Sequence, residues 1–549
     1  MANIKIPKKN FEKDIGKLDK EMQNKIAMFG TTLENFDEKE IELEIFPNRP
    51  DLLSYQGFKR SFLAFLEKKT GLQKYNLNKP EKDYKVIIDS SVKEIRPFTA
   101  CAIIKELNLD DEKIKEIVEI QEKLHTTIGR KRKKLAIGIY PLEKVKLPIY
   151  YTALEPDKIN FIPLESQKIM SGLEILQKHP TGKEYAQILA GKAKFPIFID
   201  SNKNILSMPP IINSQLTGKV TKDTKEVFLE CSGFDFKILN KCLNIFITTL
   251  ADMGGKIYQM ELKYSKKQIT PDLNPEKEKI SIENANKTLG LNLNEKQVKI
   301  LFEKMGYNYS KPYVEVPAWR MDILHEVDLI EDLAIAYGYE NFKPEIPKIS
   351  TIGQENPKEP LKRKISEILT GLGMLEVSNY HLTSKKNQFI KMGVLEKQTK
   401  DFIEIEESKT EYTILRQDLS HYMLKILSEN VDAEYPQKIF EIGKVFDSKE
   451  ILDEKERIAG AITPGNFTEA KQILEYLFRT IGLRIELKEP KENPIHFIEG
   501  RVANIILDDK EIGFIGEVHP KILKNWKIKM PVALFELNQE EVFKKFDFA

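Results

Sequence analysis

Apolar and polar positions separate most sharply along residues 322–337, DILHEVDLIEDLAIAY. Wound at about 100° per residue, Ile323, Val327, Ile330, Leu333, Ala334 and Tyr337 fall on one face, and Asp328, Glu331 and Asp332 gather on the other. The pattern predicts a helix, with Asp322 placed to cap its start and meet the positive end of the dipole. Within this window only His325 and solvent offset the repulsion among the other three carboxylates. A hard divalent cation such as Mg²⁺ or a basic partner surface fits such a stripe, as does a plain solvated face. Upstream, SIENANKTLGLNLNEKQVKILFEKMGY reads as two helices joined at Gly290, the second amphipathic through Val298, Leu301, Phe302 and Met305. Tyr313 to Val316 predicts a short strand, and Gly57 to Lys69 a helix. Towards the C-terminus LEVSNYHLT, QKIFEIGKVF, RIAGAIT, RVANIILD and EIGFIGEV read as strands, the last two flanking a turn at Asp508-Asp509.

Length and punctuation turn these elements into an organisation. A chain of 549 residues exceeds one core, and at about 150 residues per domain it predicts three or four. Polar breaks fall at 76–85, 266–279 and 344–360, the last holding four prolines. They delimit an N-terminal α+β unit at 1–80, a module at 81–265, a compact unit at 270–345 ending in the acidic helix, and a sheet-rich unit at 352–549. Net charge is only +2, from 86 basic and 84 acidic residues, so nucleic-acid contact must come from a local basic surface. Cys101, Cys231 and Cys242 form no C-x-x-C pair and read as buried cytosolic thiols. No signal segment or membrane-length apolar run is evident, which predicts a soluble cytoplasmic protein without a membrane partner.

Several segments, in order, resemble one family. EIFPNRPDLLSYQGFKRSF at 44–62 is similar to a PNRPDLLS-x-x-G-x-x-R signature, in which Pro47 and Pro50 enforce an extended turn, Asp51 caps the next helix and Gly57 permits close packing. MPPIINSQLTGKV at 208–220, VPAWRMDILHEVDLIEDLAIAYGYENF at 316–342, and FEIGKVF, IEGRVANI and IGEVHPKIL further on complete the set. Together they resemble the phenylalanyl-tRNA synthetase beta subunit of the archaeal and eukaryotic type. The resemblance implies an α+β multidomain chain with an editing (tRNA-ester hydrolysis) module, a winged-helix-like module, and a noncatalytic C-terminal antiparallel sheet domain of the class II synthetase type. It also implies an alpha-subunit partner in an α₂β₂ assembly, tRNA(Phe), and ATP bound by the alpha subunit.

Site residues follow from the same resemblance. Asp322, Asp328, Glu331 and Asp332 match the spacing associated with Mg²⁺ shared with the alpha subunit. Gln121, Glu122, Arg132 and Asn213 are implied as editing-centre residues. Glu122 or Gln121 would orient a water, with Arg132 and Asn213 on the ester, its oxyanion or the terminal adenosine. Arg132 lies in a basic run, Arg130 to Lys134, suited to docking a tRNA 3′ end or to an ordinary solvated turn. His125 ranks below these as a base. Ser207 and Glu230 resemble the residues that recognise a mischarged tyrosine, with Phe198 beside the substrate ring in the same pocket and Glu230 standing where Asp is common; a turn-capping role at Cys231-Ser232-Gly233 fits Glu230 as well. The C-terminal unit has no G-x-G-x-G-x-x-R segment, and FEIGKVF offers Gly443 and Lys444 where ATP chemistry requires an arginine. Two other classes compete with this reading: a free-standing trans-editing hydrolase and a nonenzymatic nucleic-acid-binding protein.

Overall fold

The computed structural model describes residues 2–394, 402–448 and 452–546. The chain forms two compact units, 1–346 and 347–549. One hydrophobic core runs through the first unit from Ile4 to Ala336, joining the three predicted segments that precede the proline-rich stretch. Two of the predicted polar breaks carry strands. Leu77–Asn78 pairs in parallel with Lys256–Lys263, and Lys267–Thr270 pairs with the same strand from the other direction. Mostly exposed or half-buried, these strands tolerate Lys, Gln and Asn, so they show no apolar period.

The middle of the first unit is an eleven-stranded sheet. Val227–Gly233 lies between Phe98–Lys105 and Leu135–Pro141, antiparallel to both, and it and Leu135–Pro141 are buried along their whole length. The helix Phe236–Asp252 packs across this ladder; Asp235 caps its start by accepting from the Ile238 amide. The helix Asp111–Thr126 packs against Leu135–Pro141 and is capped in the same way by Asp110.

In the signature segment the cap is Ser54, not Asp51. Its hydroxyl accepts from the Gly57 amide at 3.0 Å, starting the helix Tyr55–Phe65, which is shorter than the predicted span. Asp51 instead takes a bidentate bond from Arg49 at 2.9 and 2.8 Å, and both are buried. Gly57 is needed for close approach, since a Cβ there would lie 2.0 Å from the Asp51 carbonyl oxygen.

Helices Ile282–Leu289 and Glu295–Lys304 flank a small sheet of Glu276–Lys279, Tyr313–Val316 and Asn308–Ser310, with Tyr313–Val316 in the centre. Gly290 ends the first helix in the left-handed conformation at φ 67°. The acidic helix begins only at Glu326 and ends at Tyr337. Its cap is His325, whose side chain accepts from the Val327 amide, while Asp328 accepts from the amides of Leu324 and His325 at 2.8 Å each. Asp322, four residues before the helix, is therefore not the cap. The faces also differ from the 100° projection: Val327 is 52 % exposed and Asp332 only 4 %. The projection assumed one period from Asp322, but the first turn is not helical, and a buried arginine draws Asp332 inward.

In the second unit seven strands form a sheet whose central members are antiparallel. Gln437–Ser448, Leu452–Thr463, Phe497–Leu507 and Lys510–Val518 include four of the predicted strands, and Asp508 and Asp509 both take positive φ at the hairpin turn. The predicted strand LEVSNYHLT is broken into Leu375–Glu376 and Leu382–Thr383, which belong to different sheets. Ala533–Asn538, a central strand, escaped prediction because it is buried on both faces and shows no alternation. All three cysteines are buried free thiols. Among the described residues no helix is long and apolar enough to cross a membrane.

Candidate functional site

A cavity of about 550 Å³ opens in the first unit beside the strand Leu135–Pro141. Gln121, Glu122, Arg132, Ser207, Asn213 and Glu230 all line it, brought there from a helix, a turn and three strands. Phe198 does not line it. That ring is fully buried and stacked on Tyr151 at 4.4 Å, inside a core cluster, so it supports the sheet instead of facing a ligand.

At the cavity mouth Glu122, Arg132 and His125 form one linked group. Arg132 donates from Nη2 to Glu122 Oε1 at 2.7 Å and from Nη1 to the Ile211 carbonyl at 2.9 Å, and its guanidinium lies 4.5 Å from the centre of the Tyr185 ring. Its Nε is buried without a partner, an unspent donor beside the cavity. The turn that delivers Arg132 is strained, because Arg130, Lys131 and Arg132 take φ of 46°, 53° and 65° in succession. Such conformations cost L-residues roughly 1–2 kcal/mol each and persist where surrounding contacts impose them.

The hydrogen bond from His125 and the charge of Arg132 hold the Glu122 carboxyl down at about 2. His125 Nε2 accepts from the Ile137 amide at 2.8 Å, so Nδ1 carries the proton and donates to Glu122 at 3.2 Å. Burial lowers the imidazole pKa further. With both ring nitrogens engaged, His125 orients Glu122 and has no free site for a proton. Gln121 donates from Nε2 to the Ile137 carbonyl at 2.7 Å, which fixes the amide.

At the floor lies a second carboxyl of opposite character. Glu230 is buried in Val227–Gly233, and desolvation pushes it up to about 8. Its Oε2 is buried with no hydrogen-bond partner. Ser207 reaches the same cavity from Ile205–Met208, a strand that does not pair with Val227–Gly233. Two carboxyls in one cavity with pKa values driven apart separate into an ionised acceptor and a largely neutral acid at pH 7, a pattern that assigns distinct roles. Sequence reasoning missed Gly138 and Tyr140, which do not line the cavity but lie against the Glu230 carboxyl. An isolated glycine within the strand pattern LAIGIYP was the available signal, since such a glycine marks close approach by another group.

The four acidic-helix residues have a different setting. Arg320 donates to both oxygens of Asp322 at 2.8 and 2.6 Å and to Asp332 at 2.8 Å, and Tyr307 donates to Asp332. The carboxylates are thus offset by a buried arginine just outside the sequence window considered above, not by His325 and solvent alone. Glu331 stays exposed, and partial burial with the charges of Asp332, Asp328 and Asp322 raises its pKa.

A cleft of about 500 Å³ in the second unit is lined by Glu355, Lys362, His381, Arg416, Glu441 and Lys444, among others. Arg416, absent from the sequence reading, is fully buried there. It donates to Glu441 Oε1 at 2.6 Å and to the Lys444 carbonyl at 2.7 Å, and a Cβ at Gly443 would lie 2.4 Å from its Nη2.

Comparison with known proteins gives these arrangements a lineage. Residues 278–339 match a family model described as the tRNA synthetase B5 domain, and residues 343–539 one described as the phenylalanyl tRNA synthetase beta chain CLM domain. The chain is 38% identical over 502 residues to the phenylalanine–tRNA ligase beta subunit of Thermococcus sibiricus, covering 89% of this chain and 88% of that one. It is 37% identical over 530 residues to the protein of the same description from Archaeoglobus fulgidus, covering 95% of each. The crystal structure of an N-terminal fragment of the phenylalanyl-tRNA synthetase beta subunit from Pyrococcus horikoshii matches with a TM-score of 0.58 and 37% identity, covering 61% of this chain and 99% of that one. These likenesses define an aminoacyl-tRNA synthetase subunit. The chain belongs to the phenylalanine–tRNA ligase beta-subunit family.

Proposed function

We propose that this chain assembles with an alpha subunit, as α₂β₂, to attach phenylalanine to tRNA(Phe), and that its own chemistry is hydrolysis of mischarged tyrosyl-tRNA(Phe) in the cavity of the first unit. The observation that carries the hydrolytic reading is the convergence of Gln121, Glu122, Arg132, Asn213, Ser207 and Glu230 on one cavity with its unspent polar atoms at Arg132 Nε and Glu230 Oε2. Glu122, held ionised, is a weak base but a fixed acceptor, and with Gln121 it orients a water towards the ester carbonyl carbon. As the water adds, charge develops on the carbonyl oxygen, where Arg132 and the Asn213 amide stabilise it. The carbon–oxygen bond to the terminal ribose then breaks, and the ribose hydroxyl leaves with a proton from the attacking water. A polar floor at Ser207 and Glu230 selects tyrosine, because phenylalanine strands buried polar atoms at about 1–3 kcal/mol each. An apolar pocket alone rejects an added hydroxyl by only about a hundredfold.

Synthesis belongs to the alpha subunit in this reading. Arg416 stands where an arginine could meet phosphate, but Glu441 and the Lys444 carbonyl already engage it. Among the described residues no three carboxylate, imidazole or thiol groups come together to hold a metal ion; Mg²⁺ at the acidic helix would rest on Glu331 alone, since Arg320 engages Asp322 and Asp332, and Asp328 accepts two amides. Waters and the alpha subunit must therefore complete any coordination, consistent with the reluctance of Mg²⁺ to shed water. Aminoacylation and clearance of tyrosyl-tRNA(Phe), measured for this chain alone and with the alpha subunit, test the proposal. Pyrophosphate exchange by the isolated chain would overturn the division of labour, and a complex that leaves tyrosyl-tRNA(Phe) intact would overturn the hydrolytic assignment.

A further inference from the structure

Gly138 sits directly opposite Glu230 in the antiparallel ladder, and Tyr140 opposite Phe228. Two residues apart on one strand, Gly138 and Tyr140 face the same side of the sheet, so Tyr140 and Glu230 are diagonal neighbours within reach of a long side chain. The Tyr140 ring stacks on Phe228 at 5.6 Å and 25° and leans across the space left open by Gly138. A Cβ at Gly138 would lie 2.2 Å from the Tyr140 hydroxyl and 2.6 Å from Glu230 Oε1. Glycine is therefore required for the phenol and the carboxyl to meet. The fully buried Tyr140 hydroxyl lies 2.7 Å from Ser207 Oγ, 3.3 Å from Glu230 Oε1 and 3.5 Å from Asn213 Oδ1. A phenol carries one proton; Tyr140 directs it to Ser207 Oγ or to Glu230 Oε1, the latter when the carboxyl is ionised.

We propose that Tyr140 is a positioning residue for substrate selection, its hydroxyl tethering Glu230 Oε1 and Ser207 so that Glu230 Oε2 is the oxygen left for an incoming phenol. This rests on the reading of the cavity as a site for tyrosyl esters. Among the described residues no cation pairs directly with Glu230: Arg96 donates to Ser232 through its carbonyl at 2.7 Å and its hydroxyl at 3.1 Å. The Ser232 and Tyr140 hydroxyls both favour the charged carboxyl, and Tyr140 is the one bonded to Oε1, so the tether sets which oxygen is left free. Without it the carboxyl can turn its unpaired oxygen away, and the distinction between a phenol and a bare ring is lost.

The test uses the complex with the alpha subunit and tRNA(Phe) charged with tyrosine or phenylalanine, reading the ratio of the two hydrolysis rates. Tyr140→Phe keeps the ring and its stacking while removing the tether, and should lower the tyrosine-to-phenylalanine ratio about tenfold, the size of one lost hydrogen bond. Gly138→Ala, which keeps the hydroxyl but displaces it, should lower the ratio as well and carries the comparison if the first variant does not fold. The pH at which the ratio changes reports the Glu230 carboxyl, which faces Arg96, Cys101, Tyr140 and Tyr151. The Tyr140 bond favours the ionised form, so this midpoint should move to higher pH in Tyr140→Phe, a change that loss of packing alone would not produce. A wild-type complex that hydrolyses neither ester overturns both the cavity assignment and this inference. A selective wild type with an unchanged ratio in Tyr140→Phe, or a lowered ratio with an unmoved midpoint, overturns this inference alone.

Discussion

Two buried polar clusters, one in each unit, show how differently the same residue types can be used. In the second unit the central charges answer one another: Arg416 is matched by Glu441, and Glu536 accepts from Arg457 at 2.8 Å and from the Leu419 and Ser420 amides at 3.1 and 2.9 Å, although Arg457 Nε and Glu456 Oε2 keep no partner. In the cavity of the first unit Glu230 keeps one oxygen unpaired and Arg132 one N–H unspent. A mutually satisfied buried network rigidifies the fold, whereas buried groups left without partners store the capacity to bind something else. The Arg416 guanidinium is accordingly held within its own network, while the cavity around Glu230 keeps unpaired polar atoms at Glu230 Oε2 and Arg132 Nε.

The largest test of that contrast is Arg416→Ala, which leaves Glu441 charged and buried. Removing one partner of such a pair costs about 3–5 kcal/mol, so the melting temperature of the second unit should fall sharply. An unchanged melting curve would mean that the pair is not the structural network described. Next in size, Arg132→Ala should slow hydrolysis of both tyrosyl and phenylalanyl esters by about a hundredfold, the usual loss for one donor at a developing oxyanion. Loss confined to the tyrosyl ester would instead make Arg132 a recognition residue.

Glu230→Ala should slow tyrosyl-tRNA(Phe) clearance by about tenfold with little change in phenylalanylation, as expected for one lost hydrogen bond to the phenol. Clearance at the wild-type rate would remove Glu230 from recognition. The same residue gives a stability signature. Its folded value of about 8 exceeds the ordinary 4.5, so between these limits the folded state holds a proton that the unfolded state has lost. Its contribution is complete below pH 4.5 and declines as pH rises towards 8. Denaturation midpoints across this range should show a downward slope that Glu230→Gln removes. The smallest effect concerns the acidic helix. Asp328→Ala deletes a capping interaction at about 1 kcal/mol, and combined with Glu331→Ala it should weaken Mg²⁺-dependent association with the alpha subunit. Association that ignores Mg²⁺ in wild type and variant alike would leave these carboxylates as a solvated helix end.

The sequence by itself determined the local units and their kinship. The apolar period through Val298, Leu301 and Phe302, the Gly290 stop, the Asp508-Asp509 turn and four sheet strands were legible because each depends on neighbours a few residues away. Ordered motifs from PNRPDLLS to IGEVHPKIL carried the family, and they carried six residues that the fold brings to one cavity. Tertiary structure decided what those residues face. Asp51 turned from a helix cap to an ion pair, Asp332 moved to the buried side beneath Arg320, and Phe198 went into the core. Tyr140 and Arg416 emerged only when strands and segments distant in sequence came together. Charge partners and burial are set by such long-range approach, and a helical or strand period carries no record of which arginine or phenol will arrive from elsewhere.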